Sequence, residues 1–465
     1  MSAFGLPSEF EPLNSLFRRL ASERLFLALL SIALALPLAL SRAHDVPFLG
    51  LPLVTSGDEP HYLVMLSSLV NDHDLDLSNN YDRARQGSVE IGAGRIGAAI
   101  DHQVAWYGSD GRFRDWSSVY DYARDAQGKA APPPTLPERK PDAPREFEGK
   151  PQYSQHPAGL PLLLAPLVYP ARGSAWVEHA AIVWSTLATL ACALLLRELL
   201  RGLSNDRGVV NATTLLAILG SPTWHYGRML FTEPWLSLCA VGALTLATRK
   251  NAFFLAGLFL ALGIQMKPPF ALLAGPLFID RVLARDAKRA TLFALPVTLS
   301  VVLVLYQNQL FFGSPQRTAQ PWVSGNLLTG ALGGLFSLQH GLIPFCPALL
   351  VALAGFPALF RSHRREAWLV VGMSLPYCLL MWSWFCWWGG YCYGPRLLAP
   401  IIPLLFLGAL KVLESFSQLS PGLRKLVIAS CSVSLLISAM GALVHLAFWG
   451  KHPLIEPFTQ LAKLL

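Results

Sequence analysis

Charge is scarce in this sequence. Asp, Glu, Lys and Arg make up 14% of the 465 residues against 53% apolar residues, too little charge to solvate the surface of an ordinary soluble fold. Several apolar runs reach the roughly 17–25 residues that a helix needs to cross a bilayer. Together these describe a polytopic membrane protein. Cysteine is thin as well. Seven residues stand singly, five of them (Cys192, Cys239, Cys346, Cys378 and Cys431) within apolar runs, and no CxxC pair occurs. That argues against a thiolate metal cluster and leaves small apolar filler as the ordinary role. Cys386 and Cys392 differ, being close in sequence near a predicted outer surface where a disulfide could form. There is no internal repeat. The excess of positive charge, net +8, is broken into short clusters between apolar runs rather than spread along one soluble face. Those clusters read as topology determinants, and no nucleic-acid partner is expected.

The runs themselves predict an all-α membrane protein of about 11 transmembrane helices. Residues 1–42 hold an amphipathic lead-in with Arg18, Arg19 and Arg24 and the first apolar run, Leu25 to Leu40. No cleavage signal is evident, so that run is expected to stay as an anchor. Residues 43–175 form the first long polar region, expected to carry interfacial helices and an acidic motif. Within it, Tyr62, Leu66, Leu69 and His73 recur at helical spacing, widened by Leu63 and Val70, which predicts a helix lying in the membrane interface. From Gly108 to Lys150 the chain is rich in Pro, Gly and charge, including Pro132, Pro133 and Pro134, and reads as an extended loop. A short Pro-containing apolar stretch ending near Pro170 reads as a second interfacial or re-entrant helix. Residues 176–449 hold about ten further spans, and 450–465 form a tail.

Positive charge orients this bundle. With the N-terminus cytoplasmic, the inner connections collect 18 Lys and Arg residues, whereas the outer ones hold only Arg228, Lys267, Arg317 and Arg396. That asymmetry places the N-terminus in the cytoplasm of an inner or plasma membrane, and the long polar loop and C-terminal tail on the periplasmic or external side.

The candidate chemistry gathers on that outer side. Asp58 and Glu59 stand just past the first span in Thr55-Ser-Gly-Asp-Glu-Pro-His-Tyr-Leu63. A carboxylate there can act as a base, and Asp58 followed by Pro60 is equally a good helix cap. The four outer cations run against the charge rule, and such charges near a bilayer surface often have a functional partner. Arg317 sits among polar residues and reads as a headgroup contact. Lys267, before Pro268-Pro269, and Arg396, in Tyr393-Gly-Pro-Arg396, stand where helices begin, a setting that suits an anion. Arg228 and His225 precede Glu233, which could pair with either. His61, His156 and His340 are also external. With the carboxylates they could make a divalent metal site, at Asp58 and Glu59 if anywhere, but their spacing matches no ligand pattern. Trp382, Trp384, Phe385, Trp387 and Trp388 read mainly as an interfacial belt, with sugar stacking beside Gly389-Gly390 as the alternative.

This arrangement resembles the C-type glycosyltransferases, in the branch that includes the aminoarabinose and protein O-mannosyl transferases. The resemblance rests on Gly57-Asp58-Glu59-Pro60-His61-Tyr62, on Tyr153-Ser-Gln-His156-Pro-Ala-Gly-Leu-Pro161, on Lys267-Pro-Pro, on Phe336-Ser-Leu-Gln-His340-Gly with Phe345-Cys-Pro347, and on Tyr393-Gly-Pro-Arg396. It implies transfer of a sugar from a polyprenyl-phosphate donor to a glycan, lipid or protein acceptor of the cell envelope. Asp58 would be the base, with Glu59 beside it. Lys267 and Arg396, and with them Arg228, His225 and Tyr393, would hold the donor phosphate and lipid. His61, Tyr153, His156, Glu233 and His340 would contact substrate. Relatives often carry a sizeable external C-terminal domain, and this chain ends about sixteen residues after its last apolar run. Transport or flipping of a lipid-linked or anionic solute is the rival of another class, and an O-antigen ligase or polymerase the rival of the same class. Transporters place polar groups near the midplane of repeated halves, whereas here they gather at one surface.

Overall fold

The computed structural model describes residues 11–40, 58–85, 104–107, 113–115, 120–121, 138–139, 150–174, 176–318, 322–390 and 392–443. Two helices come first, α1 (Glu11–Leu20) and α2 (Glu23–Leu40). The long polar region holds α3 (Glu59–Ser67), α4 (Ser78–Arg85), five short strands and α5 (Gly159–Val168). The strands are β1 (Val104–Tyr107), β2 (Phe113–Asp115), β3 (Tyr120–Asp121), β4 (Glu138–Arg139) and β5 (Gln152–Ser154). Next come α6 (Trp176–Arg201), α7 (Arg207–Leu219), α8 (Pro222–Tyr226), α9 (Glu233–Thr248), α10 (Phe253–Met266), α11 (Ala274–Leu283) and α12 (Ala287–Phe312). The last third holds α13 (Leu327–Phe336), α14 (Leu342–Phe345), α15 (Ala348–Ser362), α16 (Arg364–Ser383), α17 (Ile402–Leu405), α18 (Leu407–Glu414) and α19 (Pro421–Leu443).

The fold is a helical membrane fold, and each predicted apolar run contains helix. The number of spans is a separate matter. Among the described residues, α6, α12 and α19 are long and apolar enough to cross a bilayer alone. A fourth qualifies if the segments Arg396–Leu405 and Leu407–Glu414, bent by 42°, make one span. The others are shorter or broken. Proline accounts for part of this: Pro268 and Pro269 open a 3-10 turn, Pro268–Leu273, ahead of α11, because proline lacks the N–H that would continue α10.

Three expectations need correction. The helix after the acidic pair does not lie in an interface: from His61 to Ser67 every residue of α3 is buried, and its partner is α5. The loop from Gly108 to Lys150 contributes structure, because β1 pairs antiparallel with β2 and β5, Ala105 facing both Asp115 and Tyr153, and Ala105 and Trp106 are buried. Finally, α13 was not expected. Its glycines hide it, since Gly is a poor helix former, yet they are what let it pack. A Cβ on Gly330 would lie 1.9 Å from the Trp382 carbonyl, and one on Gly333 2.2 Å from the Trp387 ring. These Trp residues are held by α13 rather than forming only a belt.

Candidate functional site

Four remote segments end at one place, and each carries a proline at the break. Glu59-Pro60 begins α3, Glu233-Pro234 begins α9, Lys267-Pro268 ends α10, and Pro395-Arg396 begins the 3-10 turn Arg396–Ile401. Proline suits the first turn of a helix and terminates the one before. The sequence therefore sets its charged side chains at helix ends, and the packing of those helices brings the ends together.

At the centre is Arg396, 7% exposed. Its Nη2 donates to Asp58 Oδ2, its Nε to Glu233 Oε1 at 3.1 Å, and its Nη1 to the Gly389 carbonyl at 3.2 Å. Its guanidinium carbon lies 4.3 Å from the centre of the Phe231 ring. Lys267 Nζ donates to the same Glu233 oxygen at 3.3 Å, and His156 Nδ1 lies 3.7 Å from Asp58 Oδ2. Two carboxylates and two cations thus cancel formally at zero. Glu233 is fully buried and Lys267 is the most open member, its side chain 20% exposed. Removing one partner of such a buried set strands another charge, at a cost of about 3–5 kcal/mol.

The capping alternative for Asp58 is gone: it occupies the N-cap position of α3, but its side chain makes no capping hydrogen bond. Burial pushes the Asp58 carboxyl up, and the charges of Arg396, His156 and Lys267 with the Arg396 hydrogen bond outweigh it, holding the group well below the usual carboxylate range. In this state Asp58 is a poor proton acceptor.

A second polar layer adjoins the first. Glu59 Oε1 accepts the Leu230 N–H at 2.8 Å, tying α3 to the segment before α9, and its charge acts on Arg228. Arg228 Nη2 and His225 Nδ1 both contact the Gly441 carbonyl, at 3.2 and 2.6 Å. The His225 ring lies 4.5 Å from that of Tyr393, centre to centre, and Tyr393 donates to the Ile437 carbonyl at 2.8 Å. His61 Nδ1 meets the Tyr81 hydroxyl at 2.8 Å, and the His61 and His156 rings lie 5.6 Å apart. Tyr153 stands aside on β5, its ring 5.4 Å from Phe311 of α12. His340, just before α14, bonds the Gly394 backbone, and burial pushes its pKa down to about 4.

The structure thus gathers Asp58, His156, Glu233, Lys267 and Arg396 into one network and places Glu59, Arg228, His225 and Tyr393 behind it. Sequence reasoning missed Phe231, the Gly389 carbonyl and Tyr62, which sits between Asp58 and Glu233 and bonds Thr232. Phe231 had a signal, its place beside Thr232-Glu233-Pro234. Among the described residues no group of three or more His, Cys, Asp or Glu could hold a metal ion, so Asp58 and Glu59 do not fit a divalent site. Cys386 and Cys392 are free thiols.

No family model matches the chain, and no curated protein matches it in sequence. Solved structures do. Over 94% of this chain and 77% of the other, it superposes on apo ArnT from Cupriavidus metallidurans with a TM-score of 0.50 at 14% identity. The fold is shared with ArnT. With undecaprenyl phosphate bound, ArnT from the same organism gives a TM-score of 0.48 at 14% identity, over 94% of this chain and 78% of that one. The likeness to ArnT is one of backbone, so the resemblance to C-type glycosyltransferases holds for the fold, and the roles of individual residues have to be argued from the network itself.

Proposed function

We propose that this protein transfers a glycosyl group from a polyprenyl-phosphate donor to a cell-envelope acceptor, at the external face of the inner or plasma membrane. The supporting observation is the buried Asp58–Arg396–Glu233–Lys267 network at one end of an ArnT-like helical bundle. It holds a base and two cations together within a membrane fold, which is what the reaction requires. The positive-charge asymmetry supports the external placement of that end.

In the resting network Arg396 suppresses the basicity of Asp58. A donor phosphate offers Arg396 and Lys267 a competing anion, and as Arg396 turns toward it, Asp58 regains proton affinity. The acceptor hydroxyl or amine then attacks the anomeric carbon and Asp58 takes its proton. The bond from that carbon to the phosphate oxygen breaks, and the electron pair leaves on the lipid phosphate, whose charge Arg396 and Lys267 stabilise. One displacement inverts the anomeric centre. The donor thus switches on its own base.

Asp58→Asn keeps the shape and the Arg396 contact but cannot accept the proton. Transfer from a polyprenyl-phosphate sugar should fall by about 10²-fold or more, the usual contribution of such a group, with the protein still folded. Transfer above about a tenth of wild type removes Asp58 as base.

A further inference from the structure

A phosphate held only by Lys267 and Arg396 would be short of hydrogen-bond donors. Helix starts commonly supply backbone N–H groups, but here they do not. The two residues after Lys267 are Pro268 and Pro269, which have none, and the Phe270 N–H is already bonded to the Lys267 carbonyl. At Arg396, its own N–H goes to Gly394, and those of Leu398 and Ala399 go to Pro395. Donors must therefore come from side chains.

One buried hydroxyl is available. Tyr377 of α16 is fully buried, and its phenolic O–H has no hydrogen-bond partner. A buried polar group left unmatched costs stability and calls for an explanation. Its surroundings supply one. The helix α16 packs on both Pro268–Leu273 and Arg396–Ile401, the two turns that the cations open. The Tyr377 ring meets Phe270 edge-on at 6.0 Å, and its oxygen lies within electrostatic reach of the Glu233 carboxylate and the Arg396 guanidinium. We propose that Tyr377 is a third ligand of the donor phosphate, its hydroxyl donating to a non-bridging phosphoryl oxygen when Lys267 and Arg396 turn from Glu233 to the donor. The inference rests on the glycosyl-transfer reading and assigns the neutral donor in that site.

Tyr377→Phe tests it in the purified full chain, with binding of a polyprenyl monophosphate and of the corresponding polyprenol measured side by side. A hydrogen bond to a charged group corresponds to about a 10- to 100-fold change in affinity. The variant should lose that much for the phosphate and nothing for the polyprenol. Its melting temperature should be unchanged or higher, because an unpartnered buried hydroxyl has been removed. Equal phosphate affinity in variant and wild type overturns the assignment and leaves the proposed function standing. A lower melting temperature with parallel losses for phosphate and polyprenol marks Tyr377 as scaffold and also overturns it. A wild-type protein that fails to prefer the phosphate overturns the donor reading and this inference with it.

Discussion

Replacing Arg396 by Gln probes the whole network through its central member. The wild-type set is neutral, with Asp58 and Glu233 against Arg396 and Lys267. Without the guanidinium, two carboxylates that are 8% and 0% exposed face one ammonium, for a formal charge of −1. Breaking a buried ion pair from one side costs about 3–5 kcal/mol. In a chain this long each kcal/mol moves the melting temperature by roughly 1–2 °C, so the loss should be about 3–10 °C at pH 7. Tryptophan fluorescence during thermal unfolding in detergent reads it directly. Two companion measurements show whether charge is the cause. The double variant Asp58→Asn with Arg396→Gln restores neutrality, leaving Glu233 with Lys267, and should recover most of the loss. The deficit of the single variant should also shrink at acid pH, where a stranded carboxylate takes up a proton. A single variant that melts within about 1 °C of wild type, or a double variant whose losses simply add, refutes the reasoning.

Stability should also respond to acid through His340. Burial lowers its pKa from 6.5 to about 4, so between those values the unfolded chain binds a proton that the folded chain refuses. Stability is therefore full above about pH 6.5 and falls toward pH 4, by up to about 3 kcal/mol. His340→Gln should flatten that decline, and an unchanged acid limb refutes it. Gly394→Ala should destabilise by about 1–3 kcal/mol and impair transfer, because Gly394 has φ +55° and a Cβ there would lie 2.7 Å from Phe345 Cδ1. An Ala variant with wild-type melting and activity would show that the turn before Arg396 has room to yield.

Much of this was legible because membrane helices announce themselves locally. Apolar runs, charge between them and proline at their ends are properties of neighbouring residues, and they put helices in the right stretches and acids and bases at helix ends. Partnership is another matter. Glu233 was read as pairing with Arg228 or His225, which lie nearby in sequence, yet it pairs with Lys267 and Arg396 from later spans, because helix packing decides which ends meet. Length was misjudged for the same kind of reason. The glycines of α13 lower its helical signal and reveal their purpose only when Trp382 and Trp387 lie against them. The lack of N–H groups after Lys267 was in the sequence all along, written as two prolines, and needed only to be read as chemistry.

The Asp58–Arg396 contact also sets a timetable. The two residues are 338 positions apart, so at about 5–20 residues per second the ribosome delivers Arg396 roughly 20–70 s after Asp58. Throughout that interval the acid that ends up buried has no guanidinium to meet, and it must wait in water or take up a proton. The catalytic centre is therefore among the last parts of the molecule to assemble, and a chain halted anywhere before the turn at Arg396 carries most of the bundle with its charges unreconciled. Such a fragment offers the membrane quality-control proteases an exposed acidic end, whereas the finished protein has sealed it.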